Sequence, residues 1–177
     1  MQQTQYLVVT AIGTDRTGIV SDLTRLVNDC SCNILDSRMA IFGKEFTFIM
    51  LLSGDRVAIS KVENTLPSTS HELGLLTMMK RTTRHVDHTD DLTFGIEYVG
   101  PDIPGTLNTV TEFLTEQGVG IASLKADAFH DEDNDMSKHA TCLTIRLSQS
   151  TDVEQFTSKL NSLCDELNQQ VTIHQII

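Results

Sequence analysis

Gly13–Ile19 reads Gly-Thr-Asp-Arg-Thr-Gly-Ile, and Gly100–Thr106 reads Gly-Pro-Asp-Ile-Pro-Gly-Thr. The two stretches share a Gly-x-Asp-x-x-Gly pattern at an offset of 87 residues, and the same offset relates downstream positions as far as Ile34 and Ile121. A register that continues without gaps over so many residues indicates a duplicated domain. The 177 residues therefore predict two tandem domains, at 1–84 and 92–177, with a linker at 85–91.

Each copy carries the same order of predicted elements around this stretch. Strands bounded by glycine, Tyr6–Ile12 and Leu92–Val99, come before it, and an amphipathic helix follows it. A strand hairpin, a second helix and a closing strand complete each copy. This is the split βαβ order, in which both helices cover one face of a four-stranded antiparallel sheet. The predicted fold class is α+β, with two ferredoxin-like βαββαβ domains.

The hairpin of the second copy is longer than that of the first. Matching Ile49 and Leu51 with Ile145 and Leu147 gives an offset of 96, nine more than the offset at the helix. The extra residues fall in the polar run around His130–Lys138, which predicts a solvated loop between the two strands.

Two further predictions concern the second helix of each copy. Pro67 interrupts the apolar pattern of the first copy, and proline breaks a helix interior, so one helix should end near Leu66 and a short one should run to about Leu73. In the second copy Thr151 and Glu154 have the spacing of a capping box, which predicts that Thr151 caps the last helix.

The charge of the chain is concentrated in its second half. Residues 1–88 hold nine Lys/Arg and nine Asp/Glu, whereas residues 89–177 hold four against fifteen and so carry the whole net charge of −11. Affinity for DNA comes largely from cations that neutralise phosphates, so we expect no strong direct DNA binding. The basic cluster Lys80, Arg81 and Arg84 has no interleaved aromatic residues. An acidic half favours a protein partner with a basic surface.

The sequence also predicts the compartment. No stretch approaches the roughly 18 consecutive apolar residues of a membrane helix, and Met1–Gln5 lacks the basic start of a signal peptide. Cys30, Cys142 and Cys164 lie within apolar patterns, Cys32 follows Cys30 by two, and no Cys-x-x-Cys pair occurs. This usage predicts reduced core thiols in a cytoplasmic protein that does not contact membranes.

The repeated stretch carries the chemistry that the sequence offers. Its glycines let backbone or ligand approach closely, and the N–H groups at a helix start suit a small carboxylate. Asp15 and Asp102 could accept a hydrogen bond from an ammonium group, and the two features together describe an amino-acid site. The alternative is structural: glycine and aspartate make tight, capped turns at many strand–helix junctions. The spacing leaves both interpretations open.

Other ligand and reaction classes are poorly supported. No dinucleotide or phosphate-loop fingerprint occurs, so no cofactor is expected. The linker groups His85 and His88 with two aspartates, but no complementary Cys/His pair accompanies them, and no metal site is expected. The acidic run from Asp131 has Met136 where a calcium loop needs glycine. No nucleophile motif is present, which predicts a protein that is not an enzyme.

The two units, each opening with a strand, Asp-x-x-Gly and a helix, resemble ACT domains, which commonly bind small amino acids between paired domains. More narrowly, Thr65-Leu66-Pro67, Met79–Thr83 and Leu163–Asn168, together with the tandem architecture, resemble the glycine cleavage system transcriptional repressor family of gammaproteobacteria. The resemblance implies a negative regulator that contacts a DNA-bound LysR-type activator when glycine is plentiful. A regulatory subunit of an amino-acid metabolic enzyme is the alternative.

The resemblance also implies where the ligand, suspected to be glycine, would bind. Turn one comprises Asp15, Arg16, Thr17, Gly18 and Ile19, and turn two comprises Asp102, Ile103, Pro104, Gly105 and Thr106. Proline has no N–H, so turn two offers one donor fewer, and the two sites are not expected to be equivalent. The sequence leaves open whether domains pair within one chain or between chains, as a homo-oligomer.

Overall fold

The computed structural model describes residues 4–83, 91–133 and 135–176. The chain divides into two compact units, Met1–Val86 (unit one) and Asp87–Ile177 (unit two). The predicted linker at 85–91 lies outside the described residues except for Asp91, which begins a strand.

Unit one is a four-stranded antiparallel sheet with the strand order β2-β3-β1-β4. Its elements are β1 (Gln5–Thr14), α1 (Ile19–Asp29), β2 (Asn33–Phe42), β3 (Glu45–Gly54), α2 (Arg56–Leu73) and β4 (Leu76–Thr82). Helix α1 forms as predicted, because its apolar residues recur at helical spacing and share one buried face: Ile19, Leu23, Leu26 and Val27.

Unit two repeats this topology, with the strand order β6-β7-β5-β8. Its elements are β5 (Asp91–Pro101), α3 (Thr106–Glu116), β6 (Gly120–Asp131), β7 (Met136–Ser148), α4 (Val153–Glu166) and β8 (Gln170–Ile176). The predicted α+β class and the tandem βαββαβ architecture are therefore confirmed.

Each unit has a core of its own between its sheet and its helices. In unit one, alternate residues of the central strand face the helices and are fully buried: Leu7, Val9 and Ala11. In unit two the matching positions are Phe94, Ile96 and Tyr98. The period of two is that of a strand with one buried face. Among the described residues, no helix combines the length and hydropathy needed to span a membrane.

The predicted break at Pro67 was wrong, because α2 runs without interruption from Arg56 to Leu73. Its buried positions Val62, Leu66 and Ser70 continue one face across the proline. A proline inside a helix costs about 3 kcal/mol, while each large apolar side chain buried returns about 1.5–3 kcal/mol. A continuous helix that keeps its apolar face against the sheet is therefore favoured.

The predicted capping box of α4 was also wrong. Asp152 is the N-cap residue, and its carboxylate accepts a hydrogen bond from the Gln155 N–H at 2.9 Å. Aspartate at the N-cap position also interacts favourably with the positive end of the helix dipole. Thr151 lies one residue earlier, before the helix begins.

The long hairpin of unit two is a pair of extended strands, not the predicted solvated loop. Gly13 pairs with Phe46 and Gly100 with His139, so the true offset is 93 and the hairpin carries six extra residues rather than nine. Strand pairing continues to Asp131 opposite Met136. The error arose because apolar residues lie on both faces of β3, so the sequence pattern allowed a shift by three.

Candidate functional site

The second glycine of each motif adopts a backbone conformation that other residues avoid. Gly18 and Gly105 precede α1 and α3 as N-caps, with φ of 91° and 97°. A Cβ added to either glycine would meet nothing within 4 Å. Glycine is therefore required by the positive φ, and the space beside both turns is open.

The first glycine of each motif allows a close approach between backbone segments. A Cβ at Gly13 would lie 2.6 Å from Leu75 Cδ2, and one at Gly100 would lie 2.5 Å from the Asn168 carbonyl oxygen. Both contacts are with the segment that enters the last strand of the unit. The structural interpretation thus accounts for all four glycines in the two copies of the motif.

That interpretation does not account for the aspartates. Gly18 and Gly105 have no side chain with which to cap α1 and α3, and within the described residues neither the Asp15 nor the Asp102 carboxylate accepts a capping hydrogen bond in their place. The backbone N–H groups of the two aspartates donate to the carbonyl oxygens of Lys44 and Ser137, each at 3.0 Å. Within the described parts of the chain, the two exposed carboxylates make no hydrogen bond or ion pair. They remain available to a ligand.

Unpaired N–H groups accompany these carboxylates at the start of each helix. Ile19 N donates to Arg16 O at 3.2 Å and Asp22 N to Gly18 O at 2.9 Å. Between them, the N–H groups of Val20 and Ser21 have no acceptor among the residues that the structure describes. A helix start with free N–H groups and a positive dipole end attracts a carboxylate.

Turn two has the same backbone pattern with different side chains. Thr106 N donates to Ile103 O at 3.2 Å and Thr109 N to Gly105 O at 2.9 Å. The Thr106 hydroxyl adds a second bond to Ile103 O, at 2.9 Å. Leu107 and Asn108 correspond to Val20 and Ser21, and in the described part of unit two their N–H groups likewise have no acceptor.

A salt bridge distinguishes turn one from turn two. Arg16 Nη2 lies 2.8 Å from Asp22 Oδ2. Both partners are replaced together in unit two, by Ile103 and Thr109. Turn one therefore presents a guanidinium that is already paired with a carboxylate, while turn two presents an apolar side chain that is 46% exposed.

The structure brings each predicted five-residue set together as one turn, but not every side chain points outwards. Asp15, Arg16, Thr17 and Gly18 are exposed. Ile19 is only 2% exposed and Thr106 only 5% exposed, so both side chains belong to the core of their unit. These two residues can contribute their backbone to a site, but not their side chains.

Two of the four cysteines, Cys32 and Cys164, offer little nucleophilic chemistry. All four are free, and burial raises the pKa of the Cys32 thiol and raises that of Cys164 to about 11. A thiol that stays protonated is a poor nucleophile. The prediction that Cys142 lies in the core was wrong: it is exposed. Its strand has Leu143 on the buried face, which places Cys142 on the opposite face.

The described residues include no group of three or more His, Cys, Asp or Glu side chains arranged to hold a metal ion. The histidines His85 and His88 of the predicted linker lie outside the described residues.

A cleft of about 280 Å³ occurs in unit one, over Val8, Ile49 and Leu51 and beside Arg38. It is lined by residues other than those of turn one.

Comparisons with known proteins identify the family of this chain. The family model for the ACT domain matches residues 5–80, within unit one. The glycine cleavage system transcriptional repressor of Escherichia coli is 38% identical over 171 residues, which cover 97% of this chain and 90% of the relative. The resemblance to ACT domains and to this family is thereby confirmed, and it supports a regulatory role.

Two solved structures are similar over nearly their whole length. One, described as a glycine cleavage system transcriptional repressor, superimposes with a TM-score of 0.73 at 37% identity and covers 98% of both chains. The other, a protein of unknown function from Galdieria sulphuraria, has a TM-score of 0.79 at 23% identity, over 99% of this chain and 100% of that chain. The second likeness shows the fold alone.

Proposed function

The chain belongs to the glycine cleavage system transcriptional repressor family, and from that premise we propose that it is an amino-acid-responsive co-repressor of glycine cleavage genes. It acts in the cytoplasm, not as an enzyme but through protein contact with a LysR-type activator. Its ligand is a small amino acid, and glycine is the first candidate. The carrying observation is that each unit has one exposed aspartate, Asp15 or Asp102, beside helix N–H groups, and that neither the carboxylate nor these N–H groups have a partner among the described residues.

Each half of this arrangement matches one end of an amino-acid zwitterion. The N–H groups at the start of α1 or α3 donate to the ligand carboxylate, whose charge the helix dipole favours. Asp15 or Asp102 accepts hydrogen bonds from the ligand ammonium group, and charge-assisted bonds of this kind are stronger than neutral ones. Both bonds replace hydrogen bonds to water, so the net affinity is modest.

A magnitude check shows what affinity is attainable. Glycine has five heavy atoms, and the ceiling of about 1.5 kcal/mol per atom for very small ligands gives roughly 7.5 kcal/mol, or micromolar binding at best. A sensor of metabolite concentration needs no tighter binding. Such a ligand acts by binding one state of the protein better than another.

Titration of glycine into the full chain, followed by calorimetry and amide NMR shifts, tests the sensing part. We expect saturable binding, with shifts at Gly18 or Gly105 and the first turn of the following helix. Asp15→Asn and Asp102→Asn should each weaken binding at their own turn by about tenfold, the value of one charge-assisted bond. Asp29→Asn, at the far end of α1, is the matched control. No response at millimolar glycine, alone and with the activator, contradicts the sensing role.

The partner is tested separately, by affinity capture from the native cytosol with and without glycine. The net charge of −11 on the second half of the chain supports contact with a basic protein surface rather than with DNA. We expect a DNA-bound activator to be captured, and retardation of its promoter fragment to change only when activator and this chain are both present. Capture of a metabolic enzyme in its place would identify a regulatory enzyme subunit instead.

A further inference from the structure

The open face of the unit one sheet, opposite the helices, is apolar at its centre. Residues that pair directly across neighbouring strands lie on the same face, so the strand register arranges this face in rows. Three rows run from the edge strand β2 to the edge strand β4: Asp36, Leu51, Val8 and Lys80; Arg38, Ile49, Thr10 and Met78; and Ala40, Thr47, Ile12 and Leu76. The three charged residues of these rows all lie in the edge strands, and the two central strands contribute only aliphatic and threonine side chains.

This face has a raised edge and a hollow. At the β4 edge, Leu76 and Met78 are 77% and 70% exposed. The cleft of about 280 Å³ lies towards the β2 edge, over Ile49 and Leu51 and beside Arg38. Soluble proteins seldom leave a large contiguous apolar patch uncovered unless it is an interaction site. A raised apolar edge and an apolar hollow on one face are complementary to a second copy of that face.

The charges at the two edges are complementary in the same way. The Lys80 ammonium group has no ion pair or hydrogen bond within the described residues. At the other end of its row, the Asp36 carboxylate accepts one hydrogen bond from Arg38, at 3.4 Å, and both side chains are exposed. A carboxylate has about four acceptor positions, so Asp36 can accept further bonds. The row thus ends in a cation at one edge and an anion at the other.

We propose that unit one binds a second copy of this chain face to face, about a two-fold axis that runs parallel to the strands of its sheet. Closed two-fold dimers are the commonest oligomers of soluble proteins, and sheets pack face to face about 10 Å apart with their strands within about 30° of each other. Rotation about this axis lays each row over the same row of the partner, read in the opposite direction. Lys80 then faces the partner's Asp36, and the symmetry makes this pair twice in the dimer.

The same rotation matches the shapes of the two faces. It lays the β4 edge of each copy over the β2 edge of the other. Met78 faces the partner's Arg38 at the hollow, where a flexible, unbranched side chain can fill an irregular gap. Leu76, at the raised edge, faces the partner's Ala40, which has the smallest side chain of the three rows. The centres of the rows bring aliphatic side chains together.

Two other pairings fit less well. A two-fold axis across the strands lays β4 over β4, with Lys80 against the partner's Leu76 and no anion opposite it, and an unpaired buried charge is unfavourable. The open face of unit two offers no comparable surface, because one of its rows places the charged Glu97 in a central strand: Lys125, Cys142, Glu97 and Thr172. A pair of unit two faces would bury that carboxylate.

Sedimentation equilibrium of the full chain tests this inference, and no amino acid is needed. We expect a dimer whose dissociation constant is micromolar or lower. Met78→Lys should raise that constant by about 100-fold or more, because it places a cation over an apolar hollow and opposite the partner's Arg38. Thr172→Lys, which adds the same charge at the matching strand position of unit two, is the control and should change nothing. A chain that is monomeric at about 100 µM, or a dimer that Met78→Lys leaves intact, overturns the proposal.

A charge exchange tests the axis itself. Asp36→Lys and Lys80→Glu should each weaken self-association by about tenfold or more, because each sets like charges opposite one another twice in the dimer. An equal mixture of the two variants should recover a dimer within about threefold of the original affinity, because every facing pair then has opposite charges. Both residues are exposed, so circular dichroism should show unchanged folding. If mixing restores no affinity, the two residues do not face each other and the proposal fails.

Discussion

Turn one and turn two have the same backbone and different surroundings. Gly18 and Gly105 hold nearly equal φ angles, 91° and 97°, in units with the same strand order. The side chains around them have diverged, from an arginine paired with Asp22 in turn one to an exposed isoleucine in turn two. Few residue types adopt the positive φ of these glycines, whereas a surface charge can be exchanged together with its partner. Within the turns, the duplication therefore preserves the glycines and the aspartates, while the other side chains differ.

The open sheet faces, which lie opposite the helices, differ in the same way. That of unit one exposes large apolar side chains, including Leu76 at 77% and Met78 at 70% exposure. That of unit two carries Glu97, Thr172 and His174 on the corresponding strands, next to Ile176, which is 41% exposed. Two copies of one fold thus present different chemistry on the same face.

The largest expected effect distinguishes Gly13 from Gly100, the two glycines at which another backbone segment approaches closely. Gly100→Ala places a Cβ against a backbone oxygen that cannot move alone, and should cost about 3 kcal/mol of unfolding free energy. Gly13→Ala meets the end of the Leu75 side chain at 2.6 Å, which can change rotamer, and the Gly74 carbonyl oxygen only at 3.1 Å, so it should cost about 1 kcal/mol. Urea unfolding measures both. Gly120→Ala, where a Cβ would meet nothing within 4 Å, is the control. Equal costs at Gly13 and Gly100 would show that the two approaches are equally rigid.

A smaller effect tests the claim that both turns need glycine for the same reason. Gly18→Ala and Gly105→Ala force a non-glycine residue to a positive φ, and each should cost about 1–2 kcal/mol. Because neither Cβ meets another atom, the two costs should agree to within experimental error. Asparagine, which tolerates this conformation better, should recover part of each loss. A large difference between the two alanine variants would break the equivalence of the turns.

The residues after α1 and α3 offer a subtler comparison. Ser31 has φ of 60°, and its counterpart Gly118 has φ of 68°. Ser31→Gly should stabilise unit one by about 0.5–1 kcal/mol, and Gly118→Ser should destabilise unit two by a similar amount. Chemical unfolding of the two variants gives both values. The two changes in unfolding free energy must have opposite signs. If both variants are less stable, the Ser31 side chain itself stabilises its turn.

The smallest effect concerns the ion pair of Arg81 and Glu63 in unit one, where the counterpart of Arg81 in unit two is Gln175. Arg81 donates to both carboxylate oxygens of Glu63, at 2.7 and 2.6 Å, and this bond lowers the pKa of Glu63 below its ordinary value of 4.5. A carboxyl group whose pKa is lower in the folded protein stabilises the fold at pH values above its pKa in the unfolded chain. This stabilisation is lost as the pH falls through the pKa of the folded protein.

The pair is partly exposed, so Glu63→Gln should cost only about 0.5 kcal/mol at neutral pH. The difference from the unchanged protein should shrink as the pH falls below 4.5 and vanish once the pH lies below the lowered pKa of Glu63. Unfolding free energies measured across this range check the sign. Glu72→Gln is the control, because Glu72 lies on the same helix and has no ion pair within the described residues. A cost for Glu63→Gln that persists in acid would mean that packing, not charge, explains it.

Local patterns predicted most of the fold. The spacing of Ile19, Leu23 and Leu26 indicated α1, and the glycine-bounded strands lay within a few residues of their observed limits. Besides the cap of α4 and the burial of Cys142, the predictions failed at Pro67 and in the long hairpin, where the local signal was overruled or ambiguous. A helix that buries a continuous apolar face tolerates its proline, and a strand that is apolar on both sides does not reveal its register.

The sequence by itself determined the duplication, the order of the elements and the two turns, because glycines and apolar spacing report on local backbone conformation. Only the tertiary structure decided what surrounds each turn. Leu75 and Gln169 lie far along the chain from Gly13 and Gly100 and reach them only once the last strand has paired with the first. Contacts between distant segments depend on strand register and packing, which no short stretch of sequence encodes.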